Sequence, residues 1–384
     1  MASARSGWTR VAFGDVAERV AESGIPDGEE SRTYIGLEHL DPGSFTVARW
    51  GSDVDLTVPK TRVRRGDVLF ARRNTHLRRC AVAPFDTYFS PDGYALRARS
   101  PSLLQGLLLY IVASDGFMDF AIEHSAGTHS KRVKWTDLVR FEFALPPLDK
   151  QREIVALMER LQQNTEALGS VAAAAKTVLK SSIARTFSES ASWPLMPLGE
   201  ACTRIVDGVH RRPDYVATGI PFLTVENLTR GEGIDFSITR YVTPNDHAEF
   251  SRRAKPSRGD VLVSKDGTLG VARVVETDDA FSIFVSVALL QPDRARLDPW
   301  FLRYYFESDL FARQLLSRSA GSALRHIHLE DFRESLMVVP PLSAQEELVR
   351  GLRLIEGAAT AAEARRTRAH HLEQRALSAV MGVT

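Results

Sequence analysis

The chain repeats itself, and no other feature constrains its fold as much. The run Ala144-Leu145-Pro146-Pro147-Leu148-Asp149-Lys150-Gln151-Arg152-Glu153-Ile154-Val155 returns 194 positions later as Val338-Val339-Pro340-Pro341-Leu342-Ser343-Ala344-Gln345-Glu346-Glu347-Leu348-Val349. Upstream, Ser125-Ala126-Gly127-Thr128 answers Ser319-Ala320-Gly321-Ser322, and Arg65-Gly66-Asp67-Val68-Leu69-Phe70 answers Arg258-Gly259-Asp260-Val261-Leu262-Val263. Near the start of each copy, Trp8 with Phe13-Gly14-Asp15-Val16 corresponds to Trp193 with Leu198-Gly199-Glu200-Ala201. Solenoid units run only ~20–50 residues, so this long period is a duplicated domain with its helix. A doubled unit implies a doubled task.

The repeat divides the 384 residues into four segments. Residues 1–148 read as a first globular domain, 149–187 as a central helix, 188–342 as a second domain and 343–384 as a C-terminal helix. A polar linker, Ser188 to Ser192, precedes the second domain. A residue before proline is pushed away from helical angles, so Pro146-Pro147 and Pro340-Pro341 separate domain from helix. Asp149 and Ser343 then stand where an N-cap belongs. Within the domains, Asp67–Ala71, Asp260–Ser264, Val271–Val275 and Phe281–Val285 read as strands. Gly106–Phe120 and Pro299–Leu316 each read as one amphipathic helix whose aromatics serve the core. The class is mixed α/β.

The two long helices carry heptad-like seams. The first reads Ile154, Leu157, Leu161, Asn164, Leu168, Val171, Ala175, Val178 and Ser182. The second reads Leu348, Leu352, Ile355, Ala359, Ala362, Arg366, Ala369, Ala376 and Val380. Each helix is roughly 55–60 Å long at a rise of ~1.5 Å per residue. The chain path favours antiparallel pairing, because the second helix starts where the first one ends. Two domains joined by a two-helix spacer result.

Composition bounds the function classes. The net charge of +1 argues neither for nor against nucleic acid. Cys80 and Cys202 have no disulfide or zinc spacing and read as reduced thiols. The first residues lack the apolar core of a signal peptide, and no run reaches the ~18 apolar residues of a membrane span. The reading is cytoplasmic. No Gly-rich cofactor fingerprint, P-loop or His-Glu-x-x-His motif is found. Leu145-Pro146-Pro147-Leu148 imitates the Pro-Pro loop of amino-methyltransferases, but its flanks are aliphatic. It therefore lacks both the polar group and the stacking ring for a flipped base. No catalytic residue and no metal site are expected, and the chain reads as a non-enzyme.

Local charge is more telling than net charge. Arg62, Arg64, Arg72, Arg73, Arg78 and Arg79 form a basic block, and Lys265 and Arg273 lie in the matching part of the second copy. One such block is commonly a solvated face; two at matching places favour a phosphate-binding surface. Asp266-Gly267-Thr268-Leu269-Gly270 reads as a tight turn that would let backbone N–H groups, Lys265 and Thr268 approach a phosphate. The paired loops from Ser125 to Lys134 and Ser319 to His328 hold Lys131, Arg132, Lys134, Arg325, His326 and His328. These loops are candidates for reading base edges in the major groove. Arg211 and Arg212 are a further candidate.

This order of domain, proline pair, Gln-containing helix, domain, proline pair and Gln-containing helix resembles the specificity (S) subunit of Type I restriction-modification enzymes. The resemblance covers essentially the whole chain. It rests on Ile220-Pro221-Phe222-Leu223, on Val261 to Gly270, and on Pro340-Pro341-Leu342 with Gln345. In the first copy, Phe70 to Arg79 replaces the Gly-rich turn and resembles another variant of the family. The resemblance implies two α/β target recognition domains in tandem, related by a pseudo-two-fold duplication, each reading half of a split DNA target. The coiled-coil helices would dock two DNA-adenine methyltransferase subunits. S-adenosylmethionine would sit on those partners, and ATP with Mg on a restriction subunit, with no cofactor on this chain. The unlike domains imply a non-palindromic target. A subunit of another bipartite DNA-modifying or defence complex, or a non-DNA coiled-coil scaffold, stays open as an alternative.

Overall fold

A computed structural model describes residues 7–25, 33–52, 59–128, 130–188, 193–318 and 326–381. The expected linker residues 189–192, most of the second loop including Arg325, His129 and the first six residues lie outside them, as does the Val380 side chain. The chain forms two units, one of residues 1–168 with 364–384 and one of residues 169–363.

In the first unit, β1 (Ala17–Arg19), β2 (Val68–Ala71), β3 (Cys80–Val82) and β4 (Gly93–Ala98) make an antiparallel sheet of order β1-β4-β2-β3. Every residue of β2 is buried, as a short β-branched and aromatic run bounded by turns should be. The turn into β2 places Gly66 at φ +93, and Asp67 closes it by accepting from Arg64 N at 2.8 Å. A second, five-stranded sheet contains the parallel pair Thr33–Ile35 and Thr87–Phe89. Helices α1 (Gln105–Ala113) and α2 (Asp115–Glu123) cover the first sheet, and the long α3 (Leu148–Thr186) follows.

The second unit repeats the plan. Its strands β5 (Cys202–Asp207), β6 (Val261–Ser264), β7 (Ala272–Val274) and β8 (Val287–Pro292) take the equivalent order β5-β8-β6-β7. Ile220–Leu223 and Ser282–Ile283 form its parallel pair. Helices α4 (Pro299–Phe306) and α5 (Asp309–Arg318) follow, then the long α6 (Leu342–Met381).

Each helix expected to be continuous is broken once, by a serine. Ser114 Oγ donates to Ile111 O at 2.6 Å and accepts from Phe117 N at 3.3 Å, ending α1 and capping α2. Ser308 makes the same two bonds, to Tyr305 O at 2.6 Å and from Phe311 N at 3.3 Å. A hydroxyl that satisfies both helix ends makes the bend cheap. The aromatics of these helices are core: Tyr110, Phe117, Tyr304, Tyr305 and Phe311 are all almost fully buried. Burial of each such side chain stabilises its unit by ~1.5–3 kcal/mol.

The long helices begin one residue earlier than expected, at Leu148 and Leu342. Asp149 and Ser343 therefore lie inside the first turn rather than at the cap. Proline tolerates the first positions of a helix because its missing N–H would be unsatisfied there anyway. The entry is held instead by a buried glutamine. Gln151 donates to Ser102 O at 2.6 Å and Pro146 O at 2.8 Å, and accepts from Leu104 N at 2.9 Å. Gln345 does the same with Arg296 O (2.7 Å), Pro340 O (2.7 Å) and Asp298 N (2.9 Å).

The seam of α3 also needs correction. Ile154 faces inward and Leu161, Leu168, Ala175 and Ser182 are half-buried, but Met158, Thr165, Ala172 and Leu179 join them, while Asn164 is exposed and Leu157, Val171 and Val178 are 46–57% exposed. Apolarity alone selected the larger aliphatics, whereas packed helices favour smaller residues at close approach. In α6, Leu352, Ala359 and Ala362 are buried as expected, and Arg366 is exposed. In the first unit, Thr165 Oγ1 donates to Glu373 at 3.3 Å, and Ile154 and Met158 share a core with Leu377. In the second, Lys176 pairs with Glu363 at 3.6 Å, and Ile183 shares a core with Val349 and Leu352. In both units the paired stretches run in opposite directions. Among the described residues, no single helix is long and apolar enough to cross a membrane.

Candidate nucleic-acid interface

The fold brings together segments that are far apart in sequence. In the first unit, Val133 N donates to Arg72 O at 3.0 Å and Asn74 N to Lys131 O at 2.9 Å. Arg73 and Arg132 face one another as an isolated antiparallel bridge. Residues 72–74 of the basic block and the Ser125–Lys134 loop are thus one surface. Asp92, in the turn entering β4, accepts from Arg73 at 2.9 Å and from Arg132 at 3.0 Å. Arg73 Nε also donates to Ser130 Oγ at 2.5 Å. Burial pushes the Asp92 carboxyl upward, but the two guanidinium groups outweigh it and hold it below the usual carboxylate range. Both arginine side chains stay about two-fifths exposed, at 41% and 43%.

The loop leaving this bridge is unusual in its backbone. Asn74 and Arg78 take left-handed angles, φ 54 and 48, on either side of a single turn at Thr75–Leu77. That region costs a non-glycine residue roughly 1–2 kcal/mol. Thr75 Oγ1 bonds Ser125 Oγ at 2.8 Å, and Arg78 pairs with Asp115 and Asp119, which offsets the cost. Lys131 and Lys134 stand exposed beside it.

The second unit has the same loop pair with other chemistry. Ile327 N donates to Lys265 O at 2.8 Å, and Asp266 bridges His326 where Arg73 bridges Arg132. The His326 Nδ1 also contacts the Asp266 carboxylate directly. Lys265 is only 3% exposed, with its ammonium 3.3 Å from Asp207 and 3.4 Å from His326 Nε2. A proton on Nδ1 and a lone pair on Nε2 of His326 satisfy both neighbours. Asp207 gathers Arg253, Lys265 and, at 3.2 Å, His210. Burial again pushes its carboxyl up, and the hydrogen bonds from Arg253 and His210 together with the charges of Lys265 and Arg253 hold it low.

Other expected residues are placed differently. Lys265 is buried rather than presented by its turn; the turn itself forms, with Gly267 at φ +70, Gly270 at +76 and Thr268 exposed. Arg79 donates to Leu37 O at 2.6 Å, and Arg273 to Gly231 O at 2.8 Å and Gly233 O at 3.2 Å. Both tether loops of their own unit, and burial lowers both pKa values. Arg72 lies over the Tyr94 ring and bonds its hydroxyl at 3.2 Å. Arg62 is exposed on the strand Lys60–Val63, and Arg64 pairs with Glu22 at 3.1 Å. Arg211 pairs with Glu249 at 3.1 Å, Arg212 lies over Tyr215, and His328 precedes the helix Leu329–Glu334. Sequence reasoning missed Asp92 and Asp207 as site residues, and it counted Arg253 only within the basic block of the second copy. The first two flank turn glycines, in Pro91-Asp92-Gly93 and Asp207-Gly208, and only that proximity hinted at them.

Among the described residues, no cluster of His, Cys, Asp and Glu could hold a metal ion. Cys80 and Cys202 are buried, and burial pushes both thiols up to about 12.

No protein-family model matches the chain. It is 26% identical over 143 residues to the Type I restriction enzyme EcoBI specificity subunit of Escherichia coli, a match spanning 37% of this chain and 30% of that protein. The EcoDI specificity subunit of the same organism is 20% identical over 156 residues, 40% of this chain and 34% of that one. The chain thus spans about a third of the length of these curated relatives. A solved chain of a type I restriction-modification complex superimposes with a TM-score of 0.61 at 21% identity, covering 98% of both chains. The type I S subunit from M. genitalium gives 0.62 at 13% identity, covering 98% of this chain and 97% of that one. Across nearly its whole length the chain therefore has the fold of the S subunits of type I restriction-modification systems, and the curated proteins it resembles in sequence are type I specificity subunits.

Proposed function

We propose that the chain is the sequence-specific DNA-binding subunit of a type I restriction-modification complex, and that it reads a bipartite, asymmetric target. The observation that carries this reading is the same loop pair in each unit, built on equivalent strands and lined by charged and hydrogen-bonding side chains that differ between the units. Two unlike readers of one fold suit two unlike half-sites. Exposed Lys131, Lys134 and Arg62 supply phosphate contacts, which position the duplex without reading it. Residues 1–148 and 188–342 are the two target recognition domains. The helices of 149–187 and 343–384 form an antiparallel coiled coil that sets the unread gap. Two methyltransferase subunits and a restriction subunit dock on this chain in the cytoplasm. They carry S-adenosylmethionine, ATP and Mg, and this chain performs no catalysis.

The test is co-expression with a type I DNA-adenine methyltransferase subunit, followed by sequencing of modified bases. Two different half-sites separated by a fixed unread gap are expected. Methylation at a continuous or palindromic site, or methylation independent of this chain, would refute the reading.

A further inference from the structure

The two bridge positions are equivalent in backbone and opposite in chemistry. In the first unit, Arg73 and Arg132 both donate to Asp92, and each keeps about two-fifths of its side chain in solvent. Clamping removes rotamer freedom that an arginine otherwise loses on binding, so the outward N–H edges are preorganised donors. In the second unit the bridge is an Asp266–His326 pair, each side chain 37% exposed. His326 is held between the Asp266 carboxylate and the Lys265 ammonium, so both its nitrogens are engaged. The acceptor there is the partly exposed Asp266 carboxylate, of which His326 engages one oxygen.

Resting on the DNA-recognition reading, we infer that these pairs determine the base class read by each unit. The Arg73–Arg132 pair reads a guanine, whose O6 and N7 accept a guanidinium fork. The Asp266–His326 pair reads a base with an exocyclic amino donor, the N4 of cytosine or N6 of adenine. Asp92 and Lys265 are positioning residues: one orients the arginines, the other fixes the orientation of His326 and through it the carboxylate.

The experiment uses the full chain, co-purified with the subunits it binds, on a library of random duplexes of about 40 base pairs (a span of roughly 3.4 Å per pair). Bound duplexes are sequenced for the wild type, Arg132→Gln, Arg132→Lys, Asp266→Asn and Asp92→Asn. Arg132→Gln should abolish preference for one guanine in one half-site and leave the other half-site unchanged. Arg132→Lys keeps the charge but loses the fork, and should blunt the same preference while retaining overall affinity. Asp266→Asn should weaken selection of one amino-bearing base in the opposite half-site by about tenfold. Asp92→Asn should blur the guanine position without moving it. Unchanged base preferences in variants that still bind would overturn the assignment while leaving DNA recognition intact. Absence of any enriched sequence with the wild type would overturn both. Circular dichroism of each variant separates misfolding, and Arg132→Lys serves as the fold-preserving variant.

Discussion

The two units agree wherever the backbone needs support and diverge where a ligand could be met. Gln151 and Gln345 make the same three hydrogen bonds, Ser114 and Ser308 the same two, and the sheets take equivalent orders. At the bridge the first unit holds an exposed Arg–Asp–Arg clamp. The second holds a buried lysine within a network of Arg253, Asp207, His326 and Asp266. Even the anions differ in setting: the Asp92 side chain is 26% exposed and that of Asp207 only 4%. A duplicated fold has kept its scaffold and exchanged its charges.

The largest expected effect breaks this contrast directly. Asp207→Ala leaves the Lys265 ammonium buried without its carboxylate and should cost about 3–5 kcal/mol of stability. Asp92→Ala frees two arginines that can reach solvent and should cost about 1 kcal/mol or less. Hydrogen exchange of each unit in the full chain measures both; equal losses would remove the distinction. Next, Gln151→Ala and Gln345→Ala should each cost about 2–3 kcal/mol, because buried carbonyls and one N–H lose their partner. Unequal losses would show that one helix entry has other support.

Acid should sharpen the comparison of the two carboxylates. Both are held below their ordinary value, so each stabilises its unit above the unfolded pKa of about 3.9 and loses that contribution as pH falls through the folded value. Local protection around both should persist at pH 5 and fall only below about pH 4. A loss beginning well above pH 5 would contradict the lowered carboxylates. The smallest effect concerns single phosphate contacts. Lys131→Ala or Lys134→Ala should reduce the salt slope of DNA binding by about one, and Arg79→Ala should leave it unchanged. A changed slope for Arg79→Ala would mean its bond to Leu37 O opens in the complex.

The repeat, the proline pairs and the short strands were legible because they are local or periodic. Both long helices begin within one residue of the expected starts. The breaks at Ser114 and Ser308 were hidden, since apolar spacing continues through them and only the hydroxyl's two bonds mark the bend. The α3 seam slipped to Met158, Thr165 and Ala172 because apolarity ranks Leu157 and Val171 higher. Packing ranks by fit.

Sequence alone determined that a domain and a helix occur twice, since duplication is written in residue order. It also located the cationic segments, because charge belongs to residue type. Tertiary structure alone decided which of those cations face outward. Arg79 and Arg273 reach carbonyls more than 40 residues away, Lys265 turns in to Asp207, and Arg73 and Arg132 meet at Asp92. A cation's role depends on the anion or carbonyl that folding places beside it, and that partner is remote in sequence.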